Sequence, residues 1–333
     1  MVYAKVFRRY FFNLLMTINK IITNVTKLNL PPIFVPIAHF LLSLYYKYCG
    51  LSPCTVDLDD QTTMHFWISN HKRHGRPNLV LIHGCGGDAR WQFLPQIGSL
   101  SKSFNIYMPD LLFFGESYTK NKDRTPRYQA KCIMEGLKKG FGVKKCTVYS
   151  ISYGGWVGYS MAEMYPCVVE MNVIVSCGVG TTVDQKQDQL IRVGKQLEEV
   201  LEVVVPKDPD AIRLLVQKAV YKYDLTKWAP NFILWEFIKT IENKNRKEKE
   251  ELMKCVMFED ADSKISALSQ ETLLVWGDQD YFFPKEIGHQ LQRKLGPKSR
   301  LMIIKETGHA INIDSPKELN ELIKSFVFGQ LDR

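Results

Sequence analysis

From residue 64 onward the chain alternates short runs rich in β-branched and aromatic residues with longer stretches of helical periodicity. The runs are MHFWIS (64–69), LVLIH (79–83), FNIYMP (104–109), CTVYS (146–150), NVIVSC (172–177), TLLVWG (272–277) and LMIIK (301–305). Between them, RYQAKCIMEGLKKGF, GGWVGYSMAEMYP, KEIGHQLQRKLG and SPKELNELIKSFVFG read as helices, the last opening with a Ser-Pro start signal. Strands separated by helices imply a mostly parallel α/β sheet covered by helices on both faces. With 333 residues, 45 % of them hydrophobic, the chain can bury a core large enough for one such domain with an insertion.

The alternation stops near Gly178 and resumes near Thr272. DQLIRVGKQLEEVLEVVV, DPDAIRLLVQKAV, NFILWEFIKTI and NRKEKEELMKCV fill the interval with apolar residues at three- and four-residue spacing. This predicts a helical cap over 178–265, inserted into a core made of 55–177 and 266–333. The charge run ENKNRKEKEE (242–251) is expected to be a solvated helix face.

Lys and Arg outnumber Asp and Glu by 44 to 35, and the excess is uneven. The first fifty residues hold Lys5, Arg8, Arg9, Lys20, Lys27 and Lys47 and no acid, among many apolar and aromatic side chains. That segment, 1–50, suits helices that lie on a membrane surface or dock on the protein's own core. Its stretch IFVPIAHFLLSLYY (33–46) falls short of the roughly twenty apolar residues a bilayer span requires. The sequence lacks zinc-finger spacing, RNP-like aromatic motifs and basic repeats, so no nucleic-acid partner is expected. The eight cysteines form no CxxC pair and read as reduced thiols of a cytoplasmic protein, with peripheral contact to an intracellular membrane left open. Without HExxH, a carboxylate–histidine cluster or a dinucleotide fingerprint, no metal and no cofactor are expected. Oligomeric state is not readable.

The segment VYSISYGGWVGY (148–159) places Ser152 at a strand-to-helix bend. A serine nucleophile needs its hydroxyl exposed above the sheet edge, and the tight turn that does this requires small residues two before and two after. Ser150 and Gly154 fill those places, Ser150 standing where glycine is usual. Upstream, LIHGCGG follows another strand. Its Cys85 and the residue after the nucleophile, Tyr153, would offer backbone N–H groups to an oxyanion, with Gly84 and Gly86 letting the loop approach. The Cys85 side chain is expected to be idle, and His83 to brace the loop. Downstream, VWGDQDYFFP offers Asp278 and Asp280, and ETGHAINIDSP offers His309. Serine, acid, histidine is the chain order of an α/β-hydrolase triad. Asp110 is read as a turn-fixing residue. His39, His65, His71, His74 and His289 are assigned to surface or packing. Trp91, Phe113, Phe114, Tyr153 and Trp156 could line an acyl pocket or fill the core.

Together HGCGG, PDLLFFGES, S-Y-G-G, VWGDQDYFFP and TGHAINIDSP resemble the α/β-hydrolase superfamily. Their order from about residue 55 to the end resembles the plant serine hydrolase branch similar to monoacylglycerol lipases. The resemblance implies the triad Ser152, Asp280 and His309, the acid being the aspartate three residues after Trp276-Gly277, and a cap that shapes the acyl or alcohol pocket. It disfavours epoxide hydrolases and dehalogenases, which use an aspartate where Ser152 stands. The expected function is a lipase-like serine esterase acting on a lipophilic small-molecule ester. The alternatives are a methylesterase or lactonase of plant specialised metabolism whose freed acid decarboxylates, a triad-retaining ligand receptor, and an acyltransferase or lyase. Ser150 and Ile151 depart from the family pattern at the floor of the site, which suggests a specialised substrate.

Overall fold

The computed structural model describes residues 31–194, 196–259 and 265–331. Residues 1–30, the larger part of the N-terminal segment, lie outside them. The first element is helix α1 (Phe34–Tyr48), followed by strands β1 (Leu51–Asp57), β2 (Thr62–Ser69) and β3 (Asn78–Ile82), helix α2 (Ala89–Leu100), and strands β4 (Asn105–Pro109) and β5 (Tyr118–Thr119). Helix α3 (Pro126–Phe141), strand β6 (Cys146–Ile151), helix α4 (Tyr153–Met164) and strand β7 (Val169–Val175) complete the first part.

The sheet runs β1-β2-β4-β3-β6-β7-β8-β9, with β8 at Glu271–Gly277 and β9 at Ser299–Ile304. From β4 through β9 neighbouring strands are parallel, while β1, β2 and β5 add an antiparallel margin. The seven strands expected from sequence are present. β1 and the two-residue β5 were not expected. β1 escaped because Pro53 interrupts its pattern, and an edge strand is where a sheet tolerates proline.

Both faces of the inner parallel strands β3, β4, β6 and β8 are buried, so their sequences read as continuous apolar runs. Leu79, Leu81, Tyr149, Val173 and Leu273 pack on one side with α1, α2 and the C-terminal helix. Val80, Ile82, Val148, Ile174 and Leu274 pack on the other with α3 and α4.

Between β7 and β8 the chain forms α5 (Val183–Val193), α6 (Leu197–Val204), α7 (Pro209–Ala219), α8 (Asn231–Phe237) and α9 (Arg246–Lys254). The stretch DQLIRVGKQLEEVLEVVV, helical in its spacing, forms two helices separated at Gly194, where a Cβ would fall 2.8 Å from the Glu199 Cβ. Helices α10 (Lys285–Leu295), α11 (Ile311–Asp314) and α12 (Pro316–Val327) follow. The Ser-Pro start signal of α12 is borne out, with Ser315 at the N-cap position and Pro316 in the first turn. The Ser315 side chain does not cap the helix; its hydroxyl bonds to Thr307 Oγ1 at 2.7 Å and accepts from Lys222 Nζ at 3.0 Å. Among the described residues no helix is long and apolar enough to cross a membrane.

Candidate active site

Strand β6 ends at Ile151 and helix α4 begins at Tyr153, leaving Ser152 alone in the bend. Its φ of 55° is a conformation that non-glycine residues adopt rarely and at a cost. The bend is held by the Ser152 N–H donating to the Val175 carbonyl at 2.9 Å and the Gly155 N–H donating to the Ser152 carbonyl at 2.8 Å. The turn leaves no room for a side chain at Gly154 or at Gly84 of the facing loop. A Cβ at Gly154 would lie 2.4 Å from the His83 carbonyl oxygen, and one at Gly84 would lie 2.8 Å from the Ser152 Cβ.

The structure brings Ser152, His309 and Asp280 together at the C-terminal ends of the parallel strands. Ser152 Oγ is 2.9 Å from His309 Nε2, and His309 Nδ1 is 3.1 and 3.2 Å from the two Asp280 oxygens. Asp280 is buried, and its Oδ1 also accepts the Phe282 and Phe283 N–H groups at 2.9 Å, which fixes the carboxylate edge presented to the imidazole. Asp278 turns elsewhere and accepts the Thr307 N–H at 3.3 Å.

Cys85 and Tyr153 occupy the two backbone segments that meet at Ser152, the loop 83–87 and the first turn of α4. His83 is fully buried, with Nδ1 2.7 Å from the Gly84 carbonyl and Nε2 accepting the Leu111 N–H at 3.0 Å. Desolvation holds its imidazole below the ordinary value against the opposing pull of Asp110. The Cys85 thiol donates to the Val204 carbonyl at 3.3 Å. Burial, reinforced by the Glu242 carboxylate, pushes it up to about 12. It is therefore a neutral thiol at physiological pH and a poor nucleophile.

Ser150 is fully buried and donates to the Val173 carbonyl at 3.2 Å. Its extra atoms fit because the facing residue of α4 is Gly158, where a Cβ would fall 2.3 Å from the Ser150 Oγ. Asp110 accepts N–H groups from Ala89 and Glu116 and lies 2.9 Å from His65 Nδ1, so it fixes the turn. His65 and His39 are packing residues with polar partners, His39 Nε2 accepting from the Trp91 indole at 2.7 Å. Trp91, Tyr153 and Trp156 line the cavity, whereas Phe113 and Phe114 belong to the core.

Ser152 and His309 open into a cavity of about 540 Å³ whose walls are mainly apolar, with Leu215, Phe237, Met253 and Phe282 contributed by the helices above the sheet and the loop after β8. No cluster of side chains able to hold a metal ion is present among the described residues.

Several positioning residues were missed from the sequence. Gln92 grips the 83–87 loop from inside: its Oε1 accepts the Gly84 N–H at 2.8 Å, and its Nε2 donates to the carbonyls of Gly84, Cys85 and Gly86. Asp314 accepts the Gly308 N–H at 2.8 Å and ties the histidine loop to Tyr221 and Lys222 beyond α7. The charge run 242–251 is not wholly a solvated face. Glu242 and Lys249 are both 1 % exposed, their charged atoms 3.7 Å apart, and Glu242 Oε1 accepts the Gly87 N–H at 2.9 Å. A signal was available, since Lys249 stands three and four residues before Leu252 and Met253, on the apolar side of α9.

The alpha/beta hydrolase family model matches residues 79–322. A 2-hydroxy-6-oxononadienedioate/2-hydroxy-6-oxononatrienedioate hydrolase of Pseudomonas is 24 % identical over 275 residues, 78 % of this chain and 90 % of that protein. Epoxide hydrolase 3 of Xenopus tropicalis is 22 % identical over 292 residues, 81 % of this chain and 76 % of its own. Among solved structures, a putative lipase from Acinetobacter baumannii superposes with a TM-score of 0.73 at 17 % identity, covering 88 % of this chain and 96 % of its own.

Proposed function

The chain belongs to the alpha/beta hydrolase family, and from that premise we propose that it is a serine hydrolase cleaving carboxylic esters of lipophilic small molecules through an acyl-enzyme. His309 Nε2 takes the Ser152 proton as Oγ attacks the ester carbonyl. Asp280 holds the proton on Nδ1 and stabilises the imidazolium. The backbone N–H groups of Cys85 and Tyr153 meet the oxyanion, and the imidazolium then protonates the leaving alcohol. Water, activated by the same imidazole, releases the acid. The segment 178–265 acts as the cap that sets the width of the acyl pocket.

The observation that carries this reading is the 2.9 Å contact between Ser152 Oγ and His309 Nε2 at the floor of an apolar cavity. A serine in the elbow favours an ester over an epoxide as substrate, because an acyl carbonyl is the electrophile an activated serine hydroxyl attacks. Mainly apolar walls favour an acyl chain over a charged substrate. The resemblance to the plant branch similar to monoacylglycerol lipases supports the same substrate class, and cysteines present as thiols accord with action inside the cell.

The test is labelling with a fluorophosphonate and location of the modified peptide by mass spectrometry. Attachment at Ser152, absent from a folded Ser152→Ala variant, is the expected result. A folded parent that takes up no label would overturn the reading and favour a ligand receptor. With a long-chain ester as substrate, product analysis with and without added alcohol separates hydrolysis from acyl transfer.

A further inference from the structure

Helix α1 has two unlike faces. Val35, Leu42 and Tyr46 are buried, and the Tyr46 hydroxyl donates to the Arg90 carbonyl at 2.9 Å. The first N–H groups of the helix are capped from a distance: those of Ile33, Phe34 and Val35 donate to the Glu236 carboxylate of α8 at 2.7 to 3.1 Å. The helix is thereby fixed to both the core and the segment above it. Its outer face carries Ile33, Phe34, Ile37, Phe40, Leu41, Leu44 and Tyr48, each between 46 and 88 % exposed. Positions 33, 37, 40, 44 and 48 recur at three or four residues and form one stripe, flanked by 34 and 41. A stripe of seven large apolar side chains on a fixed helix marks an interaction surface.

Two observations choose its occupant. The first is charge. The chain has no acidic residue before Asp57, while Lys5, Arg8, Arg9, Lys20, Lys27 and Lys47 are basic, which complements an anionic lipid surface. The second is geometry. Phe34, Val35 and Ala38, in the first turns of the same helix, form a wall of the cavity that contains Ser152 and His309. Leu225 lines the same cavity, and Trp228, three residues on, is 86 % exposed, as suits an aromatic ring at a membrane interface. The stripe and the cavity therefore share a rim.

We propose that the outer face of α1 docks on a bilayer containing anionic lipids, with Ile37, Phe40, Leu41 and Leu44 in the interface, and that the lipophilic substrate enters from the membrane past Phe34. Docking stands on the helix face and the basic composition of the sequence before Asp57; the entry route rests on the serine hydrolase reading.

The test uses the full chain and sedimentation with vesicles of equimolar phosphatidylcholine and phosphatidylglycerol. The parent is expected to co-sediment. A Phe40→Glu/Leu44→Glu variant, altered only at exposed positions outside the cavity wall, is expected to bind about tenfold or more weakly. Its turnover of a water-soluble short-chain ester stays within about twofold of the parent, while hydrolysis of a long-chain ester presented in the vesicles falls with binding. Equal sedimentation of parent and variant overturns the proposal. So does a lipid-free parent dimer that the substitutions convert to monomer, because a second copy then covers the stripe. Loss of vesicle binding in the variant, with no ester hydrolysed by either protein, leaves the docking standing and sinks the hydrolase reading.

Discussion

Ser152 is held at φ 55° by backbone hydrogen bonds on both sides, and its hydroxyl lies 2.9 Å from His309 Nε2. If the three side chains act as a unit, Ser152→Ala and His309→Ala each lower kcat by about six orders of magnitude, and Asp280→Asn by about four. Asp278→Asn leaves kcat within about threefold, since its carboxylate serves the Thr307 N–H and not the imidazole. Steady-state kinetics on one ester checks the ranking, and a larger loss at Asp278 would reassign the acid. His83 gives a second residue-scale outcome. Burial holds its folded-state value below the ordinary one, so as pH falls through about 6.5 the unfolded chain takes up the proton first and the fold loses stability. Thermal melts between about pH 7 and pH 5 should show a declining Tm, with a shallower slope in His83→Gln.

At the scale of elements, the departure from the usual elbow glycine is explained by the helix that faces it. Ser150 on β6 and Gly158 on α4 share one small volume, and the Ser150 side chain fits there because Gly158 carries none. Gly158→Ala alone places a methyl group 2.3 Å from the Ser150 Oγ and should destabilise the protein by about 1–3 kcal/mol. In the Ser150→Gly background the oxygen and Cβ are gone, and the nearest remaining neighbour, Val148 Cγ1 at 3.4 Å, is an ordinary contact. The double variant should therefore recover most of the loss, helped by the gain of about 1 kcal/mol from replacing a mid-helix glycine. A double-mutant cycle on urea midpoints measures the coupling, and additive effects would mean that the two positions do not compete for space.

At the scale of the whole molecule, the parallel strands were legible because burial on both faces leaves continuous apolar runs, and Ser152, Asp280 and His309 stood out because each follows such a run. What stayed hidden are polar contacts made where the chain turns back on itself, six to eight residues apart and outside any single helix or strand period: Gln92 beneath the 83–87 loop, Asp314 behind the histidine, and the Glu242–Lys249 pair. A charge run reads as solvated when the sequence gives no view of what packs on it. That buried pair joins the helices between β7 and β8 to the 83–87 loop, because Glu242 accepts the Gly87 N–H while facing Lys249, whose ammonium is held below its ordinary value by desolvation. Lys249→Met leaves a buried carboxylate without its counter-charge and should cost about 3–5 kcal/mol of stability. Glu242→Gln in the same background removes that charge and keeps an oxygen to accept from Gly87, so most of the stability should return. Glu242→Ala in the Lys249→Met background also removes the stranded charge but abandons Gly87. If the cap steadies the loop that carries the Cys85 N–H, this variant should lose about tenfold or more in kcat relative to the Gln variant at similar KM. Equal kcat values in the two would show that the loop keeps its place without Glu242.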